Sequence, residues 1–198
     1  MTLTATQISF EDYLTHNDGT DNRYELVDGK LVLMNPPIIQ HFLIAKLIEQ
    51  VLDAEIKRLQ LSWLVFREAG VRTGANKSRL TDVCVVTIGQ ARELLDQSAV
   101  FQSPPLLIVE IVSPDSIKRD YRYKRSEYAA LEVLEYWIID PLEAKVTVLS
   151  LEEGLYEEGV YTGDQQIRSQ IFPEQTLTVE QVFAAGELGG SEGMEDEG

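Results

Sequence analysis

Residues 106–114 read L-L-I-V-E-I-V-S-P and follow the pair Pro104-Pro105. Residues 106–112 have the composition of a strand buried on both faces, which belongs near the middle of a sheet. Glu110 stands in its centre. An ionised carboxylate taken into an apolar interior costs several kcal/mol, roughly, unless a cation, a proton or hydrogen bonds compensate it. The fold must therefore bring a partner to Glu110, either a buried Arg or Lys or a metal ion.

The pattern around this strand is mixed. Ser9 followed by Glu11 and Asp12 predicts a short capped helix, and Asp28-Gly29 between residues 23–27 and 30–34 is a strong hairpin signal. Residues 38–59 carry Phe42, Ala45, Ile48, Leu52 and Ile56 at helical spacing and predict a long amphipathic helix. Extended segments follow at 63–67 and 69–72, then a strand at 80–87 with Asp82 at its start, and a short helix at 91–96. Ser113-Pro114-Asp115-Ser116 opens a helix over 117–131, and 136–139 is a further buried strand stopped by Asp140-Pro141. Strand, helix, strand of that length predicts a right-handed parallel crossover. Polar hairpin strands occupy 145–168, around Gly154, Gly159 and Gly163, and a small helix 179–185. The expected class is mixed α/β, a central sheet with helices on both faces.

At 198 residues the length suits one domain, here residues 1–186. Residues 187–198 read as a disordered tail, Gly-rich and holding five acids. Without those five the formal charge of −16 becomes −11, so no broad field attracts phosphate backbones. That composition excludes a simple DNA-binding module, but not an enzyme that meets DNA through cations. No apolar run reaches the roughly 20 residues of a membrane span, and the first ten residues lack a signal-peptide pattern. Cys84 is the single cysteine, so no internal disulfide forms and a cytoplasmic location is expected.

If the strands holding Asp82 and Glu110 are neighbours, their carboxylates converge at one point. A few oxygen ligands with room left for water and phosphate suit Mg2+, with Mn2+ as a substitute, better than zinc. Glu25, in the first hairpin, offers a third acid. Asp120 and Lys124 lie four apart, on one helix face. Metal held by Asp82 and Glu110 suits phosphodiester hydrolysis, with Lys124 orienting water or stabilising charge. Each residue also has a plainer reading: Glu25 paired with Arg23 or Lys30, Lys124 with Asp120 at the surface, and His41 as a capping or packing residue.

The strings Y-E-L-V-D-G-K-L-V at 24–32, Pro36-Pro37 with His41, T-D-V at 81–83, I-V-E-I-V-S-P at 108–114, R-D-Y-R-Y-K-R-S-E-Y at 119–128 and E-Y-W-I-I-D-P at 135–141 occur in this order. Together they resemble the Uma family, within the restriction-endonuclease-like superfamily of PD-(D/E)xK nucleases. The resemblance implies that fold, an endonuclease acting on DNA, metal ligation by Asp82 and Glu110, and Glu25 as the additional acid. Thr81 stands where the superfamily pattern has Pro. Val112 stands where it has a catalytic lysine, and Lys124 is the substitute the resemblance suggests. The competing function is a catalytically inactive descendant of the fold, serving as a binding or assembly module. A homodimer is expected by analogy with nucleases that cut two strands.

Overall fold

The computed structural model describes residues 7–187, so the tail expected over 187–198 lies outside the described residues except for Glu187. In chain order the elements are α1 (Phe10–Leu14), β1 (Tyr24–Val27), β2 (Lys30–Leu33), α2 (Ile39–Arg58), β3 (Trp63–Arg67), β4 (Gly70–Gly74), β5 (Lys77–Leu80), β6 (Val83–Thr87), α3 (Ile88–Arg92), β7 (Val100–Phe101), β8 (Leu107–Ile111), a π-helical segment (Arg119–Lys124) leading into α4 (Arg125–Ala130), β9 (Glu135–Asp140), β10 (Lys145–Glu152), β11 (Leu155–Thr162) and α5 (Val179–Ala185).

The mixed α/β class is as expected, but the strands form two sheets rather than one. A six-stranded sheet has the order β11-β10-β9-β8-β6-β3, and a five-stranded sheet the order β2-β1-β5-β4-β7. β8 pairs in parallel with β9 and antiparallel with β6. The crossover between β8 and β9 and the central place of β8 therefore agree with the sequence.

One hairpin joins the sheets. β3 and β6 pair in the larger sheet, β4 and β5 in the smaller. Both arms change sheet at the same level, so the strand expected over 80–87 is broken at Thr81-Asp82. Glu68 takes a φ of 58°, which turns the β3–β4 arm. Opposite it, Thr81 N and Oγ1 donate to Ala69 O at 3.0 and 3.1 Å, while Glu68 N donates to Asp82 O.

Alternation of side chains along the strands divides the larger sheet into two apolar layers. Val83, Val85, Leu107, Val109, Ile111, Trp137 and Ile139 pack against α2 through Ile44, Ile48, Leu52 and Ile56. Cys84, Val86, Ile108, Val112, Tyr136 and Ile138 face the other side, with Tyr128 of α4. Glu110 has the parity of the second layer, and so does Val112, which is part of that core.

Local signals account for the turns. Asp28-Gly29 and Glu153-Gly154 both have positive φ at each residue, the conformation of tight hairpins with two-residue loops. The third helix begins at Ile88, not 91, because Thr87 caps it and completes a capping box with Gln90. The helix expected over 117–131 opens with α-helical residues at 117–118, is wound as π over Arg119–Lys124, and returns to α over Arg125–Ala130.

A second buried acid, Glu135, belongs to the framework. It begins β9 and accepts from Trp137 Nε1 (2.6 Å), Ser169 Oγ (2.7 Å), Gln170 N (2.7 Å) and Ile171 N (3.3 Å). Those bonds compensate the carboxylate without a lysine or arginine and pin residues 169–171 to the sheet. Truncation orphans four donors at once. Glu135→Ala should lower the unfolding free energy by about 3 kcal/mol, measured by urea denaturation; a loss under about 1 kcal/mol would mean the loop is held by other contacts.

Candidate active site

The break in the β5–β6 arm positions the first acid. One step beyond the pair Val83↔Val109 brings Asp82 level with Glu110, so neighbouring strands present the two carboxylates together. Asp82 Oδ2 accepts from Ile111 N at 2.6 Å, and its Oδ1 lies 2.9 Å from His41 Nε2 in the first turn of α2. The Asp82 side chain keeps 23% of its surface exposed and is the most open acid of the group.

Glu110 is 2% exposed and has both oxygens engaged. Tyr128 Oη donates to Oε1 at 2.8 Å, and Lys124 Nζ lies 2.7 Å from Oε2. Lys124 and Tyr128 are four residues apart, which brings both to the same acid. Burial pushes the Glu110 carboxyl up, to about 8; Lys124 pulls against this, while Asp82 and Asp120 add to it.

Lys124 is itself 2% exposed. Besides Glu110 it faces Glu25 Oε1 and Asp120 Oδ1, each at 3.6 Å, and donates to Leu80 O at 3.1 Å. Burial works against its charge, but Glu110, Glu25 and Asp120 outweigh that and raise its pKa. Asp120, also buried, has its carboxyl pushed up by desolvation, and its Oδ1 has no hydrogen-bond partner.

Glu25 sits behind this group and does not line the cleft. Arg79 Nη1 holds one of its oxygens at 2.9 Å and Leu80 N donates to the other at 3.2 Å. Burial would raise the Glu25 carboxyl, but Lys124, Arg79 and Arg119 together bring it below the usual value. Arg79 also forks onto Glu127 of α4 at 2.7 and 2.6 Å. The surface partners Arg23 and Lys30 that the sequence allows for Glu25 are not the ones used: Arg23 pairs with Glu68.

A cleft of about 680 Å³ opens onto Asp82, Glu110, Asp120, Lys124 and His41, with Leu33, Pro37, Ile38 and Phe42 on an apolar wall. Arg23 and Arg119 supply further positive charge at its lining, against the acids Asp21, Glu68 and Asp115. Asp82, Glu110 and Lys124 thus come together as the sequence suggests, Glu25 reaches them only through Lys124, and His41 joins them. Arg79, Asp120 and Tyr128 complete the group. Tyr128 and Asp120 are legible only through their spacing of four from Lys124, and Arg79 only once β5 is paired with β1.

Among the described residues, no three His, Cys, Asp or Glu side chains are drawn together closely enough to form a finished metal site. The donors still suit a hard cation, because Asp82 and Glu110 offer carboxylate oxygen and Asp120 Oδ1 is buried without a hydrogen-bond partner.

The comparisons with known proteins agree with this picture. Residues 10–180 match the profile of the Uma2 family, described as "Putative restriction endonuclease". A solved structure described as a "putative nuclease belonging to DUF820 from Anabaena variabilis ATCC 29413" has a TM-score of 0.75 at 21% identity, covering 91% of this chain and 99% of that one. At that identity the likeness speaks for the fold. The type IIG restriction endonuclease BpuSI overlaps 79% of this chain and 17% of its own, with a TM-score of 0.39 and 14% identity. No curated protein matches the chain in sequence. The family match spans nearly all the described residues, and on it the chain belongs to the Uma2 family, with a restriction-endonuclease-like fold.

Proposed function

We propose that the protein is a metal-dependent endonuclease that hydrolyses phosphodiester bonds in DNA, with Mg2+, or Mn2+ in its place, held by Asp82 and Glu110. The observation that carries this reading is the 2.7 Å approach of Lys124 Nζ to Glu110 Oε2. It supports a lysine delivered from the helix in place of the one that Val112 lacks. A bound ion would supply Lewis acidity at the phosphoryl oxygen and acidify a coordinated water. The chain's own residues do the rest. Ile111 N fixes the orientation of Asp82, Tyr128 fixes Glu110, and Lys124 holds positive charge beside the acids. Glu25 favours the charged form of that lysine.

Arg23, paired with Glu68, and Arg119, beside Asp120, are the arginines lining the cleft. They are too few to hold DNA alone, so binding should depend on the divalent ion. Among the described residues no helix is long and apolar enough to cross a membrane, and we place the protein in the cytoplasm, acting as a homodimer. Light scattering tests the dimer against a monomer mass of 22.3 kDa.

A second reading, a nuclease-fold module without activity, draws on the burial of Lys124, which is spent on three carboxylates. Glu110→Gln separates the two, since it keeps shape and removes charge. With Mg2+ and plasmid DNA, Asp82→Asn and Glu110→Gln should each cut at least about 100-fold more slowly than wild type while keeping the wild-type circular dichroism spectrum at the assay temperature. Cleavage by both at the wild-type rate would remove these acids from the site, and a wild type that neither cuts nor binds Mg2+ or Mn2+ at millimolar concentration would favour the inactive module. Lys124→Met leaves three buried acids facing one another, and should cost about 3 kcal/mol in chemical denaturation. A cost below about 1 kcal/mol would show that Lys124 does not hold the structure together.

A further inference from the structure

His41 is the side chain of the cleft with the least explanation in the framework. It is in the first turn of α2, where the N-cap residue is Ile38 and no side chain caps the helix. It therefore neither caps the helix nor joins the apolar layer below it. Its side chain is 15% exposed, lines the cleft, and brings Nε2 to 2.9 Å from Asp82 Oδ1, the oxygen that Ile111 N leaves free.

Two donor atoms that bind one octahedral cation with bonds of about 2.1 Å lie about 3.0 Å apart when adjacent. The 2.9 Å between imidazole nitrogen and carboxylate oxygen is that of an ion pair and also matches that spacing, so a cation can take the place of the shared proton with little movement of either side chain. Asp120, a side chain 2% exposed, lines the same cleft, and its Oδ1 accepts no hydrogen bond, Lys124 Nζ and Arg119 Nε standing off at 3.6 and 3.8 Å, so a closer cation has an oxygen to meet there.

We infer that His41 is a metal ligand, contributing Nε2 beside Asp82 Oδ1, and that it strengthens the binding of Mn2+ at this site relative to Mg2+. The inference rests on the metal-dependent reading above and adds to it a nitrogen donor. Imidazole raises affinity for Mn2+ and Co2+ relative to Mg2+, whose preferred ligands are oxygens. Ligation requires an unprotonated Nε2, so the imidazole must carry its proton on Nδ1.

Pulsed electron paramagnetic resonance on the full chain loaded with Mn2+ reads this contact without any assay of cleavage. The wild type should show the strong nitrogen-14 coupling of a directly bound imidazole. His41→Gln should lose it, and its preference for Mn2+ over Mg2+, measured by calorimetry, should fall about tenfold. His16, the other histidine of the chain, is the control: His16→Gln should keep the coupling. Mn2+ bound without nitrogen coupling in the wild type, or coupling that survives in a folded His41→Gln, would overturn the ligand role and leave the carboxylate site standing. Absence of any Mn2+ binding at millimolar concentration would overturn both. The wild-type spectrum decides the matter even if the variant does not fold.

Discussion

The ammonium of Lys124 is the contact on which the rest of the structure turns. It meets Glu110 from the larger sheet, Glu25 and Leu80 O from the smaller sheet, and Asp120 from its own helical segment. A buried ion pair adds little to stability compared with a well-packed apolar substitute, but losing one partner is costly. The group therefore fixes where the two sheets meet. Arg79 repeats the arrangement nearby, joining Glu25 on β1 to Glu127 on α4. The two cations tie β1 and β5 to the helical segment whose Asp120 and Lys124 line the cleft.

The charges in this region do not balance. Glu25, Glu110, Asp120 and Glu127 face Lys124 and Arg79, with Arg119 at 3.8 Å from Asp120 and Lys77 at 3.9 Å from Glu127, and Asp82 lies beside His41. Burial pushes up the carboxyls of Glu110 and Asp120, the acids of the group that line the cleft with Asp82, and neighbouring acids add to the rise. Glu25, deeper and closer to Arg79, has its carboxyl pulled down. Environment thus sorts similar acids into a permanently charged framework acid and acids that hold a proton more readily.

How much of this was readable from the sequence depends on how local the cause is. β8 announced itself by composition, α2 by its spacing of apolar residues, and the first hairpin by Asp28-Gly29, each a property of a few neighbouring residues. The sheet change at Thr81-Asp82 was not readable, because it depends on Glu68 turning the opposite arm, and an acid with positive φ carries no sequence signal. The pairing of Asp82 with Glu110 followed once β6 and β8 were neighbours. The Arg79 bridge did not follow, since it joins residues 54 and 48 positions apart. Glu135 escaped notice as well, because its four donors come partly from backbone amides that any sequence would supply.

The carboxylate that first looked out of place in an apolar strand now has a definite electrostatic setting. Burial raises the Glu110 carboxyl to about 8, with Asp82 and Asp120 adding to the rise and Lys124 pulling against it. A proton and a divalent cation are alternative answers to the same buried charge, and the proton is the weaker one where carboxylate oxygens converge. Lys124 cannot supply both answers, for it is already shared among three acids. The open side of the group is Asp82, exposed to the cleft and held by a backbone amide rather than by a lysine or arginine. A cation entering from solvent, as the proposed function requires, would meet Asp82 first and Glu110 second, and the buried lysine would set how much negative charge is left for it to find.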